Sequence, residues 1–497
     1  MSRPRIDALA DVRIAGPGAE LLPGVEVYDI VLQNGRIADI APAGSLRLAG
    51  AVHRGEGAYV IPGLWDHHVH VTQWALAALR EPLGECVSAA DAAARMGRVA
   101  PGVDGRRVGT GFRDALWPDA PSLEVLDAAT GDTPTYLINA DVHSVWLNSA
   151  ALAREGLSAD DGVLREGPAF DVSRRLNELP DQVADAAVTA MAAAASARGV
   201  VGVVDLDMVW NESSWQRRRA GGFDLLRVEF GIYPDLLDRA IAEGLRSGDP
   251  LRGDDGELVT VGPLKAITDG SLGTRTAACS VAYAEAPHPH GLLTIAPDDL
   301  RDVMTRATAA GLDCAIHAIG DDAMRHALDA YAAADAHGTI EHAQLVAAAD
   351  IPRMARLGVT ASVQPEHALD DRDLTDSIWV TQTARPYPLR SLWAAGVDLR
   401  FGSDAPVSAL DPWAAIATAA FRTRDGREPW QPGETVPVGV ALAASTHRGS
   451  ADPDTIAVGQ RADLALLAAD PRTAEPAALR SMQVVGTVLD GRVTHRV

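Results

Sequence analysis

The chain has 497 residues, 47% of them hydrophobic, and a formal net charge of −23. That length holds one large domain plus a smaller one, and the acidity argues against nucleic acid or a membrane surface as partner. Three scattered cysteines (Cys86, Cys279 and Cys314), no N-terminal apolar h-region and no bilayer-length apolar run lead to the expectation of a soluble, cytoplasmic protein without a disulfide framework.

The first elements read as short strands with tight turns. In "YDIVLQNGRIADIAP" two apolar runs flank Asn34-Gly35, a strong hairpin signal. The last forty residues repeat the pattern, with "ADLALLAAD" followed by "VVGTVLDGRVTHRV", turned at Asp490-Gly491. Residues 1–60 and 455–497 are therefore expected to pair into one small β-sandwich.

Between them, residues 61–454 alternate apolar strands with Ala-rich helices. The candidate strands are Tyr59–Trp65, Val200–Asp205, Leu225–Gly231, Val259–Ile267, Leu312–His317, Thr339–His342, Val359–Val363 and Asp398–Gly402. Helical segments such as "DQVADAAVTAMAAAASARG" and "APDDLRDVMTRATAAG" separate them. Repeated β-then-α units predict an α/β fold, a (β/α)8 TIM barrel. A doubly wound open sheet is the structural alternative, although no strand is followed by a GxGxxG or Walker motif. Residues 101–180, rich in Asp, Pro and Trp, interrupt the pattern after the first barrel strand. They are expected as an insertion on the loop face that forms a lid or substrate wall.

The chemistry-bearing residues fall at strand ends. "DHHVH" carries His68 and His70, two apart and so on one face of a strand. His317, His342 and Asp404 end or follow the fifth, sixth and eighth predicted strands, and Lys265 lies near the end of the fourth. Barrel strand ends converge on one mouth. An imidazole and carboxylate set without cysteine suits catalytic Zn²⁺, and equally Mn²⁺, Fe²⁺ or Ni²⁺. His67 is expected to point to the opposite side of its strand. His143, in the insertion, is a candidate for facing substrate. His53, His288, His290, His326, His337, His367, His447 and His495 lack strand-end placement and read as surface or loop residues.

Lys265 is the only lysine among 44 basic residues. Arginine replaces lysine wherever only positive charge is needed, but a guanidinium cannot lose its proton. A position that keeps lysine therefore asks for an amine that can be neutral.

The ordered motifs "DHHVH", "GVLRE", "KAITDGSLGTRTA", "AIHAIGDDA", "IEHAQ", "ASVQPEH", "FGSDAPV" and "GQRADLALL" resemble the amidohydrolase superfamily. Within it the chain is most similar to the YtcJ-like branch, which includes N-substituted formamide deformylases. The resemblance implies a metal-bearing barrel with one or two divalent ions. It implies that His68 and His70 hold the more buried ion and that His317 and His342 hold a second. Asp404 would bind metal and accept the proton of the attacking water. Lys265 matches a lysine that in many members is carboxylated to a bridging N6-carboxylysine. Glu166 in "GVLRE" matches a family motif, and Asp269 and Arg275 belong to the motif after Lys265, read as holding the loop or a substrate carboxylate.

These readings converge on a metal-dependent hydrolase that cleaves a non-peptide amide-type C–N bond, an N-acyl or N-formyl amide, in a small molecule. Asp404 is the expected base then acid, and His342 or His143 the expected oxyanion donor. A cyclic amide or ester substrate on the same site is the enzymatic alternative, and a non-catalytic binding protein on the same barrel the other. A homodimer is the candidate assembly.

Overall fold

A computed structural model describes residues 3–19, 25–102, 104–177, 179–254, 258–284 and 286–497. Its central sheet has eight parallel strands, here named in chain order β1 (Leu64–Val69), β2 (Val200–Asp205), β3 (Arg227–Ile232), β4 (Val259–Ile267), β5 (Cys314–Ala318), β6 (Gly338–His342), β7 (Thr360–Val363) and β8 (Leu399–Phe401). Each pairs in parallel with its neighbour in sequence. A parallel bridge between Val69 and Ala405 brings the ends of β1 and β8 together, so the barrel is nearly closed. β2, "VVGVVD", is buried along its whole length. It reads as a continuous apolar run because both faces of a parallel sheet are covered.

Several of the surrounding helices are amphipathic. Pro297–Ala310 buries Leu300, Val303, Met304 and Ala307, spaced i, i+3, i+4, i+7 on one stripe. Truncating a fully buried leucine such as Leu300 would cost about 2–5 kcal/mol through lost transfer energy and the cavity left behind. Among the described residues no helix is long and apolar enough to cross a membrane.

Both termini build a second, eight-stranded sheet. Tyr59–Pro62 pairs antiparallel with Leu464–Leu467 and so joins the N-terminal strands to the C-terminal ones. The two layers expected of the sandwich belong to one continuous sheet around a core that includes Leu9, Ile30, Val60, Leu464 and Val488. Asn34-Gly35 and Asp490-Gly491 all have positive φ, between 51 and 72°. Such dihedrals suit the tight hairpin turns that the sequence predicts.

The first predicted barrel strand spans two elements. Tyr59–Pro62 belongs to the terminal sheet, and the barrel begins at Leu64. The chain changes sheets at Pro62-Gly63, where proline has no N–H to continue a ladder.

The excursion between β1 and β2 is a folded unit. Five strands, Glu81–Pro82, Arg107–Phe112, Thr135–Asn139, Ser144–Leu147 and Val163–Arg165, form one sheet. It starts about twenty residues ahead of the expected Pro101. The Ala-rich helix Ala89–Arg98, which packs on this sheet through Ala89, Ala92, Ala93 and Met96, has the composition of a barrel helix.

Candidate metal centre and active site

The ends of β1 and β8 are locked together by backbone. The Asp404 N–H donates to the His68 carbonyl at 2.7 Å, and the His70 N–H donates to the Ala405 carbonyl at 3.0 Å. Asp66 accepts from the backbone N–H groups of Ser403 (2.9 Å) and His68 (3.2 Å). A Cβ at Gly402 would lie 2.7 Å from the His68 nitrogen, so this crossing needs glycine in "FGSD".

This frame sets one Asp404 oxygen 3.4 Å from Nε2 of His68 and 3.4 Å from Nε2 of His70. The other oxygen lies 3.9 Å from Nδ1 of His342. One ligand atom each from His68, His342 and Asp404 can be chosen so that all lie within 4.8 Å of one another. The ring of His317 stands 4.5 Å from that of His342. Burial would raise the Asp404 carboxyl, but the surrounding imidazoles of His68, His342 and His70 hold it well below the usual carboxylate range. Burial also lowers His68, His317 and His342. Neutral imidazole is the form a metal takes.

Hydrogen bonds from behind orient the rings. His68 Nδ1 lies 2.6 Å from Glu341, with both side chains buried. His342 Nδ1 donates to the Gln364 amide oxygen at 2.8 Å. Each contact puts the proton on Nδ1 and leaves the Nε2 lone pair available, an arrangement typical of metal-ligating histidine. Lys265 is buried, and among the described residues its Nζ has no hydrogen-bond partner; neither has Nδ1 of His70, while Nε2 of His317 lies 3.3 Å from an Asp269 oxygen. Unpaired polar atoms this deep are costly, and a divalent cation held by His68, His70, Lys265, His317, His342 and Asp404 fits them. The donor set is imidazole and carboxylate, with an amine that burial pushes below its ordinary pKa.

These groups face a cavity of about 920 Å³ whose roof is the insertion. His143, from the insertion, lies 2.9 Å from Glu166, and its ring is 6.1 Å from that of His317. Burial would lower His143, yet the Glu166 carboxylate raises it to about 9, so it stands as an imidazolium. Glu166 also accepts from the Thr276 hydroxyl at 2.6 Å, tying the roof to the loop after β4. A Cβ at Gly270 would sit 2.0 Å from that hydroxyl and 2.8 Å from Glu166, so glycine is required where the two meet.

Several sequence expectations change here. Asp269, read as holding the loop or a substrate carboxylate, holds the loop and does not line the cavity. It is fully buried and accepts from the N–H groups of Ala278 (2.8 Å), Gly320 (2.8 Å) and Ile319 (3.1 Å), joining the loops after β4 and β5. Arg275 lines the cavity. His67 turns away from the metal set as expected, bonding the Thr446 carbonyl at 2.9 Å, and burial lowers its pKa to about 3. His367 is not a surface residue. It is buried, lines the cavity and stacks on His342 with centroids 6.2 Å apart. Glu341 and Gln364 were missed, although both lie inside quoted motifs, "IEHAQ" and "ASVQPEH".

A family model described as Amidohydrolase family matches residues 56–495. The chain belongs to the amidohydrolase family. This amidohydrolase is 26% identical over 482 residues to the putative amidohydrolase YtcJ of Bacillus subtilis, covering 88% of this chain and 89% of that protein. It is likewise 26% identical over 515 residues to the N-substituted formamide deformylase of Arthrobacter pascens, covering 93% and 94%. Among solved structures it resembles an uncharacterized metal-dependent hydrolase from Pyrococcus horikoshii OT3. The TM-score is 0.79 at 23% identity, over 95% of this chain and 99% of that one. The family resemblance read from the motif order is thus borne out, and with it the barrel and the hydrolase class.

Proposed function

We propose that this amidohydrolase hydrolyses a non-peptide amide-type C–N bond, in an N-formyl or N-acyl amide, with one or two divalent ions at His68, His70, Lys265, His317, His342 and Asp404. The observation that carries the reading is the Asp404 carboxylate, buried in the barrel mouth, 3.4 Å from two imidazoles and open to the cavity. The activity named for the Arthrobacter pascens relative supports the N-formyl or N-acyl bond. A bound divalent metal, with zinc favoured by the donor set, would lower the pKa of water toward neutrality and polarise the scissile carbonyl.

The protein's own groups do the rest. Asp404, held ionised, takes the proton of the attacking water as the C–O bond forms. It then passes that proton to the amide nitrogen as the C–N bond breaks, leaving a carboxylic acid and an amine. The His143 imidazolium, fixed by Glu166, is the donor for the developing oxyanion. Gln364 and Glu341 keep His342 and His68 in one tautomer. Lys265 is read as N6-carboxylysine: a neutral amine adds CO₂ and loses a proton, which converts a buried base into an anionic oxygen ligand. Its burial and its unpartnered Nζ support that reading.

The test is elemental analysis of the purified protein, then hydrolysis of matched N-formyl amides, N-acyl amides, cyclic amides and esters. Turnover of the open-chain amides with at least one divalent ion per chain is expected. Turnover of esters or cyclic amides alone would reassign the substrate.

A further inference from the structure

Three arginines line the cavity, and two of them are engaged. Arg113, from the insertion, pairs with Asp370 at 3.3 Å, and Arg165 pairs with Asp161 at 3.0 Å. The third, Arg275, has no hydrogen bond or ion pair from its guanidinium among the described residues, although it is only partly exposed. The neighbouring carboxylate that clamps the same loop, Glu166, is already held by His143 and Thr276. Arginines that lack a carboxylate elsewhere, such as Arg422 and Arg107, still donate to backbone carbonyls; among the described residues the Arg275 guanidinium does neither.

The loop that carries Arg275 is built to hold it still. Arg275 has φ of 57°, a left-handed conformation uncommon for a long side chain. The turn is closed by the Arg275 N–H donating to the Leu272 carbonyl at 3.0 Å and the Thr276 N–H donating to the Ser271 carbonyl at 3.0 Å. Ser271 is anchored in turn to Asp141 of the insertion at 2.7 Å. Strained backbone persists only where its surroundings over-determine it, and it gathers at ligand sites. Roof and floor thus both brace the cavity arginine that has no partner among the described residues.

We propose that Arg275 docks an anionic group of the substrate, and that the substrate class is a carboxylate-bearing amide, of which N-acyl amino acids are the simplest members. This rests on the amide-hydrolase reading of the same site. The planar guanidinium receives a carboxylate through two parallel N–H···O bonds, a geometry that lysine cannot reproduce. Binding there orients the amide without taking part in bond breaking, so Arg275 is a positioning residue.

The test uses two probe pairs whose members differ in charge. N-formyl-leucine and N-formyl-leucinamide carry the distinction on the amine side. N-butylsuccinamic acid and its methyl ester carry it on the acyl side. Binding is measured by calorimetric titration to the protein as purified, and to Arg275→Gln and Arg275→Lys variants matched for metal content and melting temperature. The acid of at least one pair should bind about 10- to 100-fold tighter than its neutral partner, the range of a charge-assisted pair. That preference should vanish in Arg275→Gln and survive only in part in Arg275→Lys. In turnover it should appear in KM and leave kcat nearly unchanged. Equal binding of acid and neutral probes to the wild type, or binding of neither, overturns the proposal, as does a preference that Arg275→Gln keeps. A charge preference in binding with no hydrolysis of any amide would leave the anion site standing and refute the amide reading instead.

Discussion

Replacing Glu341 with Gln isolates one charge behind the metal centre. The Glu341 carboxylate lies 2.6 Å from His68 Nδ1, and the two side chains are 2% and 1% exposed. Burial would raise the Glu341 carboxyl, but the hydrogen bond from His68, joined by one from the Thr339 hydroxyl, holds it below its ordinary value. It is therefore ionised across the working range. Glutamine fills the same volume and its amide oxygen can still accept from Nδ1, so the ring keeps its position. What is lost is the charge assistance, which makes such bonds roughly twice as strong as neutral ones.

Partners of this kind are typically worth about 10–100-fold in metal affinity or activity, or roughly 1.4–2.8 kcal/mol. Competition against a coloured chelator should show the variant binding its metal more weakly by that factor, at equal melting temperature of the metal-free proteins. Because Glu341 titrates so low, the deficit should not vary between about pH 5 and 8. Metal affinity within twofold of wild type would refute the claim that Glu341 tunes His68. A deficit that disappeared as pH rose would refute the assignment of a permanently ionised carboxylate.

Four further outcomes follow from the same geometry. The double variant His68→Ala, His70→Ala should lose most metal by elemental analysis and most activity; wild-type metal content would move the site. Asp404→Asn keeps shape but not basicity, so kcat should fall by about 10²–10⁴-fold with KM little changed, and a near-normal kcat would place the base elsewhere. Lys265→Arg should be as damaging as Lys265→Ala, and short carboxylic acids should partly rescue the alanine variant; an active Lys265→Arg enzyme would rule out the carbamate. Since His143 is raised from 6.5 to about 9 and Glu166 is lowered from 4.5, their pair stabilises the fold fully between those ordinary values. The melting-temperature gap between wild type and Glu166→Gln should therefore be widest near pH 5–6 and shrink as pH rises through about 9, and a gap constant across that range would refute the pair.

The barrel was legible because its signals are periodic and local. Buried parallel strands read as apolar runs, and helices with an apolar stripe, such as Pro297–Ala310, come between them. The terminal sheet was legible from Asn34-Gly35 and Asp490-Gly491, where turn chemistry alone fixes a hairpin. What periodicity does not mark is a change of partner. Tyr59–Trp65 reads as one strand, and only Pro62-Gly63 hints that its two halves serve different sheets. The insertion was misjudged at its start for the same reason, since Ala89–Arg98 buries one alanine face whether it lies on a barrel or on a neighbouring sheet.

The site divides along a sharper physical line. Strand-end histidines can be found from sequence because β-alternation and barrel closure converge them. Glu341 was missed because alternation assigns it and His342 to opposite faces. His342 has φ of 72°, and Asp404 has φ of 58°. Those left-handed dihedrals break alternation where the strands end, so Glu341 can back His68 while His342 faces the same mouth. Strain of this kind costs of order 1–3 kcal/mol per residue and leaves no mark in composition. Lys265 is the opposite case. Its position needs no special backbone, and its chemistry excludes the arginine that fills every other basic position, so substitution bias alone exposes it. A metal site is thus most readable in sequence where chemistry forbids the common residue, and least readable where backbone strain, invisible in the alphabet, turns two adjacent side chains to one purpose.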